Sequence, residues 1–376
     1  MMRTRLVNGR VLIDGRLDER AAVCIQDGAI SAVGRAADHG VDQEIDLDGL
    51  ILVPGFIDTQ VNGGGGALFN ADPSVACIAA IGAAHRRFGT TGFLPTLISD
   101  DLEVIDRGVD AVEAAIGAGV PGVLGIHIEG PFLSPRRHGI HDASKIQVLE
   151  ESMVERLTRL KGGRTLITLA PETTTPGLIE RLVRAGAIVS AGHTDADYAT
   201  MRRALAAGVT GVTHLFNAMS PMLNRTPGVV GAALEDASAW CGLIVDGHHV
   251  DPVVLRLALR CRPLDRFMLV TDAMPGVGVD AGSFDLQGRR ITVENGVCRD
   301  ERGVLAGSGL DMAQAVRNAV RMLDLDLGQA VAMASAAPAA FLGMAGRRGR
   351  IAPGWIADLV ALDDDLTVRR TWIGGR

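Results

Sequence analysis

A chain of 376 residues is too long for one small domain, and 47% hydrophobic against 22% charged residues allows a sizeable core and excludes wholesale disorder. The formal net charge is −7 and no basic stripe carries interleaved aromatic residues, so nucleic acid is not an expected partner. The five scattered cysteines lack CxxC spacing and indicate a reducing cytoplasm. The basic start, residues 1–10, has no apolar core behind it, and no apolar run reaches the roughly 20 residues that span a bilayer, so neither a signal peptide nor a membrane partner is expected.

Both ends of the chain have the pattern of short strands joined by tight turns. Residues 5–13 and 22–33 are punctuated by Asn-Gly and Asp-Gly pairs, which are strong hairpin signals. At the other end, residues 357–362 and 370–373 are also strand-like. We therefore expect the two ends to pair into one small β-sandwich.

Between the ends, short apolar runs alternate with longer amphipathic stretches such as residues 74–88 and 313–322. Alternation over about 290 residues predicts an α/β fold with a parallel (β/α)8 TIM-like barrel, whose usual length is about 250 residues. An open doubly wound sheet is the alternative, but no G-x-G-x-x-G follows the first strand, and the glycine run 63–66 favours a flexible or tightly turning loop over a phosphate loop. The predicted domains are a β-sandwich of residues 1–53 and 346–376 and a catalytic barrel of residues 54–345.

Each of four apolar runs is followed, at its C-terminal end, by one side chain that can ionise or bind a metal ion. These side chains are Glu129 after residues 123–128, His193 after 187–191, His214 after 209–213 and Asp272 after 268–271. Each alone has an ordinary structural explanation, such as a hydrogen-bonded loop histidine or an aspartate at a helix N-cap. Barrel enzymes place their chemistry at the C-terminal ends of the strands, so four such residues predict one shared active site.

Two imidazoles and one carboxylate, from His193, His214 and Glu129, suit one divalent ion, Zn²⁺ with Fe²⁺ as the alternative, and leave a position open for water. Such an ion lowers the pKa of water from about 15.7 to about 7. A carboxylate that is not itself a tight ligand can then remove the proton and pass it to a leaving amine. Asp272 suits that role, and the four residues together indicate a metal-dependent hydrolase.

Five sequence blocks carry a family resemblance. They are Pro-Gly-Phe-Ile-Asp at 54–58, His-Ile-Glu-Gly-Pro-Phe at 127–132, Ser-Ala-Gly-His-Thr at 190–194, Thr-His-Leu-Phe-Asn-Ala-Met at 213–219 and Val-Thr-Asp-Ala at 270–273. Through them the chain resembles the N-acetylglucosamine-6-phosphate deacetylases of the amidohydrolase superfamily, essentially from end to end. The Glu-Gly-Pro-Phe and His-Leu-Phe-Asn-Ala-Met blocks are specific to that group, whereas Pro-Gly-Phe-Ile-Asp marks only the superfamily.

The resemblance implies hydrolysis of the N-acetyl amide of N-acetylglucosamine-6-phosphate to glucosamine-6-phosphate and acetate. It carries over Glu129, His193 and His214 as metal ligands and Asp272 as the catalytic carboxylate. By the same resemblance, His141 would polarise the substrate carbonyl beside the metal.

The resemblance also assigns contacts with the phosphorylated amino sugar. Asn217, Ala218 and Leu305 would contact the substrate, while Arg225 and His249 would bind its phosphate across the interface of a homodimer. A guanidinium can bind phosphate through two parallel hydrogen bonds. Without the resemblance, Arg225 would be interpreted as an ordinary solvated arginine in a loop. His248 and His249 are adjacent, so spacing alone does not choose between them.

The sequence departs from the wider superfamily at the position of a second metal. Many members carry His-x-His after the first barrel strand, where this chain has Gln60 and Asn62. Many also use a carboxylated lysine at a strand end, but Lys145 and Lys161 lie in polar or glycine-rich loops. Both differences favour one principal metal, and weak occupancy of a second site through Glu129 stays open.

Three other functions are compatible with parts of the pattern. An acylamino-acid or cyclic-amide hydrolase would not need a 6-phosphate, and Arg225 speaks against it. N-acetylgalactosamine-6-phosphate differs from the first substrate by one hydroxyl epimer, whose contacts the sequence does not locate. A non-catalytic binding protein with this fold would normally have lost one of the four core residues, all of which are present here.

Overall fold

The structure is a computed structural model that describes residues 3–34, 41–280 and 282–376. Parts of the predicted N-terminal sandwich segment, residues 1–2 and 35–40, lie outside the described residues. Among the helices that are described, none combines the length and the apolar character needed to cross a bilayer.

Eight parallel strands form the central sheet, in the order in which they follow along the chain. They are Phe56–Val61, Thr90–Ile98, Gly125–Glu129, Arg164–Leu169, Ile188–Ala191, Gly211–Val212, Trp240–Leu243 and Phe267–Leu269. The chain just after the last strand returns to the first, since the backbone N–H of Asp272 donates to the carbonyl of Gln60 at 3.0 Å and that of Asn62 to Ala273 at 2.9 Å. The predicted (β/α)8 TIM-like barrel is confirmed.

Ten α-helices are described, most of them packed around the barrel. They are Val75–Arg86, Leu102–Gly117, Met153–Leu157, Pro176–Arg184, Tyr198–Ala206, Gly228–Glu235, Pro252–Cys261, Met312–Leu323, Leu327–Ala334 and Ala336–Phe341. Short 3-10 turns occur at Ala143–Lys145, Pro171–Thr173 and Leu264–Arg266. Local side chains help to define where the α-helices begin. The Asp311 side chain, for example, accepts a hydrogen bond from the backbone N–H of Gln314 and so satisfies one free donor at the start of the helix Met312–Leu323.

Two further sheets are built from the chain ends, as predicted. One contains Arg3–Val7, Ala22–Gln26, Ala29–Gly34 and Gln43–Asp46; the other contains Arg10–Ile13, Arg16–Asp18, Ile51–Pro54, Leu359–Leu362 and Val368–Trp372. Buried side chains of both sheets, among them Leu6, Val23, Leu52 and Trp372, share one core. We propose that the domain boundaries lie near residues 54 and 346, because the strand Ile51–Pro54 pairs with the C-terminal strand Leu359–Leu362.

A four-stranded antiparallel sheet interrupts the segment that the sequence assigned entirely to the barrel. Its strands are Ser283–Leu286, Arg289–Glu294, Val297–Arg299 and Leu305–Ser308. Its buried side chains, including Ile291 and Cys298, pack with Leu68 and Met274 at the mouth of the barrel. The inserted sheet therefore packs beside the C-terminal ends of the barrel strands.

The glycine run forms a tight hairpin, in which Gly63–Gly64 pairs with Ala67–Leu68. Gly65 and Gly66 have φ angles of +63° and +83°, a region that residues with a side chain adopt at a cost. The interpretation of this run as a tightly turning loop is thus confirmed.

Candidate active site

Three buried ligand atoms converge at the C-terminal mouth of the barrel. The Nε2 atoms of His193 and His214 are 3.0 Å apart, and they lie 3.3 Å and 3.0 Å from Oε1 of Glu129. Ligands of Zn²⁺ stand about 2.0–2.2 Å from the ion, so two neighbouring ligand atoms lie roughly 3.0–3.5 Å from each other. The three side chains therefore have the spacing of a metal site.

The hydrogen bonds of His193 show which of its nitrogens faces the site. Its Nδ1 lies 2.9 Å from the backbone carbonyl oxygen of Arg137. A carbonyl only accepts, so Nδ1 carries the hydrogen and Nε2 presents a lone pair toward His214 and Glu129. The donor set thus fits a divalent cation on this structure's own geometry.

The charges of the cluster support the same arrangement. Burial raises the pKa of Glu129, but its interactions with the rings of His193 and His214 outweigh burial and hold that pKa well below its usual value. Burial lowers the pKa of His214, yet the hydrogen bond and charge of Glu129 bring the pKa above its usual value. Glu129 is therefore an ionised carboxylate that attracts positive charge to this point.

The side-chain amide of Gln60 fills the space between two carboxylates. Its Nε2 lies 3.1 Å from both Oε1 and Oε2 of Glu129 and 3.2 Å from Oδ1 of Asp272. The amide of Asn62 donates to the same Oδ1 at 2.7 Å. The Gln60 amide nitrogen thus bridges Glu129 and Asp272, and Asn62 adds a second donor to Asp272.

Asp272 lines the cavity and is fixed through its backbone. Its N–H donates to the carbonyl of Gln60, and the N–H of Ser308 donates to its carbonyl at 2.9 Å. Both side-chain hydrogen bonds described for it end on Oδ1. Burial and the nearby charge of Glu129 raise the pKa of Asp272, as suits a group that takes up a proton.

Three of the four strand-end residues have left-handed backbone. The φ angles are +48° at His193, +31° at His214 and +51° at Asp272. Such a conformation costs a residue with a side chain on the order of 1–3 kcal/mol and clusters at functional sites. The turn out of each strand therefore aims its side chain into the barrel mouth, a feature that sequence spacing did not reveal.

The hydrogen bonds of His141 make it a donor toward the cavity. The backbone N–H of Ser99 lies 3.1 Å from Nδ1 of His141, and the Ser99 hydroxyl lies 2.8 Å from the same atom. An N–H only donates, so Nδ1 accepts and the ring hydrogen is on Nε2. Burial, and after it the neighbouring His193, lower the pKa of His141 well below its usual value, so the ring is neutral.

A cavity of about 360 Å³ joins these residues. Its walls include Glu129, His141, His193, His214 and Asp272, together with the predicted substrate residues Asn217, Ala218, His249 and Leu305. Leu305 reaches the cavity from the inserted sheet that the sequence did not predict. The structure thus brings together nine predicted site residues.

Arg225 and His249 take different positions, which corrects one prediction. His249 lines the cavity of its own chain, and its Nδ1 lies 2.6 Å from Oδ2 of Asp246. The prediction that His249 reaches a neighbouring site is therefore wrong, because the ring is held inside its own barrel mouth. Arg225 lies in the exposed stretch 221–227, away from the walls of this cavity.

Two arginines at the rim of the cavity were not predicted as site residues from the sequence. Arg136 and Arg137 both line the cavity and both contact Asp195, at 3.5 Å and 2.8 Å. Their position in the sequence, a few residues before His141, was a usable signal. Spacing alone could not show that this loop folds back over His193.

Comparisons with known proteins agree with the geometry. Residues 51–376 match the amidohydrolase family. The chain is 45% identical over 369 residues to an N-acetylgalactosamine-6-phosphate deacetylase of Shewanella sp. (strain ANA-3), covering 97% of this chain and 93% of that one. It is 37% identical over 350 residues to an N-acetylglucosamine-6-phosphate deacetylase of Bos taurus, covering 89% and 85%. A crystal structure of N-acetylglucosamine-6-phosphate deacetylase from Pasteurella multocida matches with a TM-score of 0.96 and 35% identity, over 100% and 99% of the two chains.

Proposed function

The chain belongs to the amidohydrolase family, and we propose that it is a metal-dependent deacetylase of N-acetylglucosamine-6-phosphate, releasing glucosamine-6-phosphate and acetate. One observation carries the proposal: Glu129, His193 and His214 converge on one point, with Asp272 and His141 in the same cavity. A three-ligand site with an acid/base carboxylate beside it is suited to amide hydrolysis.

We assign the metal site to Glu129, His193 and His214, which would hold one divalent ion. Zn²⁺ suits this set of two imidazoles and a carboxylate, and Fe²⁺ suits it as well. When bound, such an ion supplies Lewis-acid polarisation and makes water a stronger acid. The amide nitrogens of Gln60 and Asn62 support a single-ion site, because they already occupy the carboxylate oxygens that a second ion would use.

The residues of the chain divide the proton transfers between them. Asp272 accepts the proton of the attacking water at Oδ2, since Oδ1 is held by Gln60 and Asn62. His141 donates a hydrogen bond from Nε2 to the substrate carbonyl oxygen, keeps its proton, and so stabilises the negative charge that develops there. Asp272 then passes its proton to the departing sugar amine, as the C–N bond breaks and acetate forms.

N-acetylgalactosamine-6-phosphate is the second candidate substrate. A specific observation favours it: the 45% identity with the Shewanella enzyme exceeds the 37% identity with the Bos taurus enzyme. Both substrates share the N-acetyl group and the 6-phosphate, so the site chemistry is the same. The measurement that decides is kcat/KM on the two epimers with the same preparation of enzyme.

We further propose a homodimer in which Arg225 of the partner subunit reaches the phosphate in the cavity of this chain. The loop that carries Arg225 also exposes Met222 and Leu223, and the nearby helix exposes Val253 and Leu257, each by more than half. Contact between two subunits would remove these apolar side chains from water. A reducing cytoplasm remains the proposed location, supported by the wide scatter of the five cysteines along the sequence.

Mixing two inactive variants tests the exchange of Arg225. In a heterodimer of Asp272→Asn and Arg225→Gln subunits, one of the two cavities has an intact Asp272 and an intact arginine from its partner. If the subunits exchange at random, the mixture should regain about a quarter of wild-type activity. No regain in a mixture that demonstrably forms heterodimers would show that Arg225 serves its own chain or none.

A further inference from the structure

Two adjacent arginines share a single carboxylate at the rim of the active-site cavity. Arg137 Nε donates to Oδ1 of Asp195 at 2.8 Å, while Arg136 Nη1 lies 3.5 Å from Oδ2 of the same residue. Both arginines line the cavity. Two guanidinium groups therefore share one carboxylate at this part of the rim.

Arg137 holds its own loop, which precedes His141, in place. Its guanidinium is bound to Asp195, and its backbone carbonyl accepts the Nδ1 hydrogen of His193 at 2.9 Å. The backbone N–H of Asp195 in turn donates to Glu172 at 2.5 Å. Arg137 therefore acts through His193, as a positioning residue for a proposed metal ligand.

Arg136 is available for a ligand. Its side chain is 84% exposed, and its contact with Asp195 is longer than a good charge-assisted hydrogen bond, which lies near 2.7–2.9 Å. An exposed ion pair of this kind holds a side chain with less than about 1 kcal/mol. A dianion entering the cavity can therefore recruit Arg136 at little cost.

The charge distribution within the cavity decides where an anion can lie. The groups proposed to act on the acetamide, Glu129, His193, His214 and Asp272, lie together on the cavity wall, so the acetamide must lie beside them. The cationic groups that the chain itself adds to the walls are the two arginines, with the His249 ring on the wall as well. The phosphate is at a different position of the sugar from the acetamide, and the arginines of the rim supply the positive charge that a phosphate needs.

We propose that Arg136 is a phosphate-recognition residue supplied by the chain's own cavity rim, distinct in role from the structural Arg137. The inference rests on the proposed function, because it requires a substrate that carries a phosphate. Arg136 binds the phosphate oxygens through its guanidinium, while Asp195 stays paired with Arg137. The phosphate is then bound by a residue of the same chain as the cavity, in addition to any residue that a partner subunit supplies.

Steady-state kinetics on N-acetylglucosamine-6-phosphate and unphosphorylated N-acetylglucosamine test the proposal. Arg136→Gln should raise KM for the phosphorylated substrate about tenfold, in line with loss of one hydrogen-bonded charge contact, and should weaken the dependence of KM on salt. The preference for the phosphorylated substrate should fall by the same factor, and Arg136→Lys should restore part of it. Arg202→Gln is the matched control, because Arg202 is an exposed arginine paired with Asp236 on an outer helix.

The outcomes separate this proposal from the function on which it rests. If wild-type enzyme prefers the phosphorylated substrate but Arg136→Gln keeps both KM and salt dependence, Arg136 is not a phosphate contact. If Arg137→Gln alone loses the phosphate preference, the two roles are reversed and the proposal is wrong. If wild-type enzyme shows no preference for phosphate at all, the proposed function fails first, and this inference falls with it.

Discussion

The side-chain nitrogen of Gln60 lies 3.1 Å from both carboxylate oxygens of Glu129. The same nitrogen also reaches Asp272, so one neutral amide links the proposed metal ligand to the proposed acid/base. Two buried carboxylates this close would otherwise repel each other. The amide therefore allows both groups to be ionised without a second cation between them.

Replacing Gln60 should reduce turnover without changing the number of bound ions. Gln60→Leu removes the bridging donors while keeping most of the volume, and loss of a hydrogen bond to a charged group costs about 1.5–3 kcal/mol. We expect kcat to fall at least tenfold and metal analysis to find one ion per chain. Gln26→Leu, a remote amide change in a terminal sheet, is the control. Wild-type kcat in Gln60→Leu would contradict the bridging role.

Removing the Asp272 carboxylate should nearly abolish turnover while leaving the metal bound. Asp272→Asn loses the group that accepts and returns the proton, which is worth about 10²–10⁴-fold in rate. The ion should remain, because the converging ligand atoms belong to Glu129, His193 and His214. Kinetics and metal analysis of one preparation check both statements. Near-normal turnover would rule out this role for Asp272.

His141 should act as a hydrogen-bond donor and not as a metal ligand. His141→Ala should lower kcat by about 10²–10³, as loss of a donor to a developing oxyanion does. Ser99→Ala should have a smaller effect, since the Ser99 backbone N–H still holds Nδ1 of His141. Metal content should be unchanged in both variants. Loss of the ion in His141→Ala would instead place His141 among the ligands.

The buried Asp58 should make stability depend on pH in an unusual direction. Burial raises its pKa from 3.8 to about 7, although hydrogen bonds from Thr271 and Gln60 act in the opposite sense. The native state then binds more protons than the unfolded state between these values, so stability falls as pH rises from about 4 to about 7. The loss is on the order of 4 kcal/mol, at about 1.4 kcal/mol per pKa unit.

Denaturant unfolding of the metal-free protein at several pH values checks this prediction. Metal-free protein is used because metal release would add its own pH dependence. Asp58→Asn should lose less stability than wild type between pH 4 and pH 8. Parallel pH profiles for the two proteins would show that Asp58 is not the group responsible.

Much of the site could be predicted because apolar strands and their polar ends are local signals. Glu129, His193, His214 and Asp272 each follow a short apolar run, and the ends of parallel strands meet at one face. The pairing of the chain ends was also visible, through hairpin signals at residues 5–13 and a strand-like C-terminus.

The remaining features depend on contacts between residues distant in sequence. The sheet that carries Leu305 looks like loop or barrel in the sequence, because its strands of 3 to 6 residues are too short to show a distinctive period. The tautomers of His141 and His193 depend on Ser99 and the carbonyl of Arg137. The position of His249 inside its own cavity required the three-dimensional fold.

Metal removal and stepwise reconstitution test the metal-dependent deacetylase most directly. The metal-free enzyme is titrated with Zn²⁺, and in parallel with Fe²⁺ under anaerobic conditions, while acetate release from N-acetylglucosamine-6-phosphate is measured. We predict no activity without metal and a linear rise that ends at one ion per chain. Full activity in the metal-free enzyme, or none with one ion bound and either amino-sugar phosphate supplied, would contradict the proposed function.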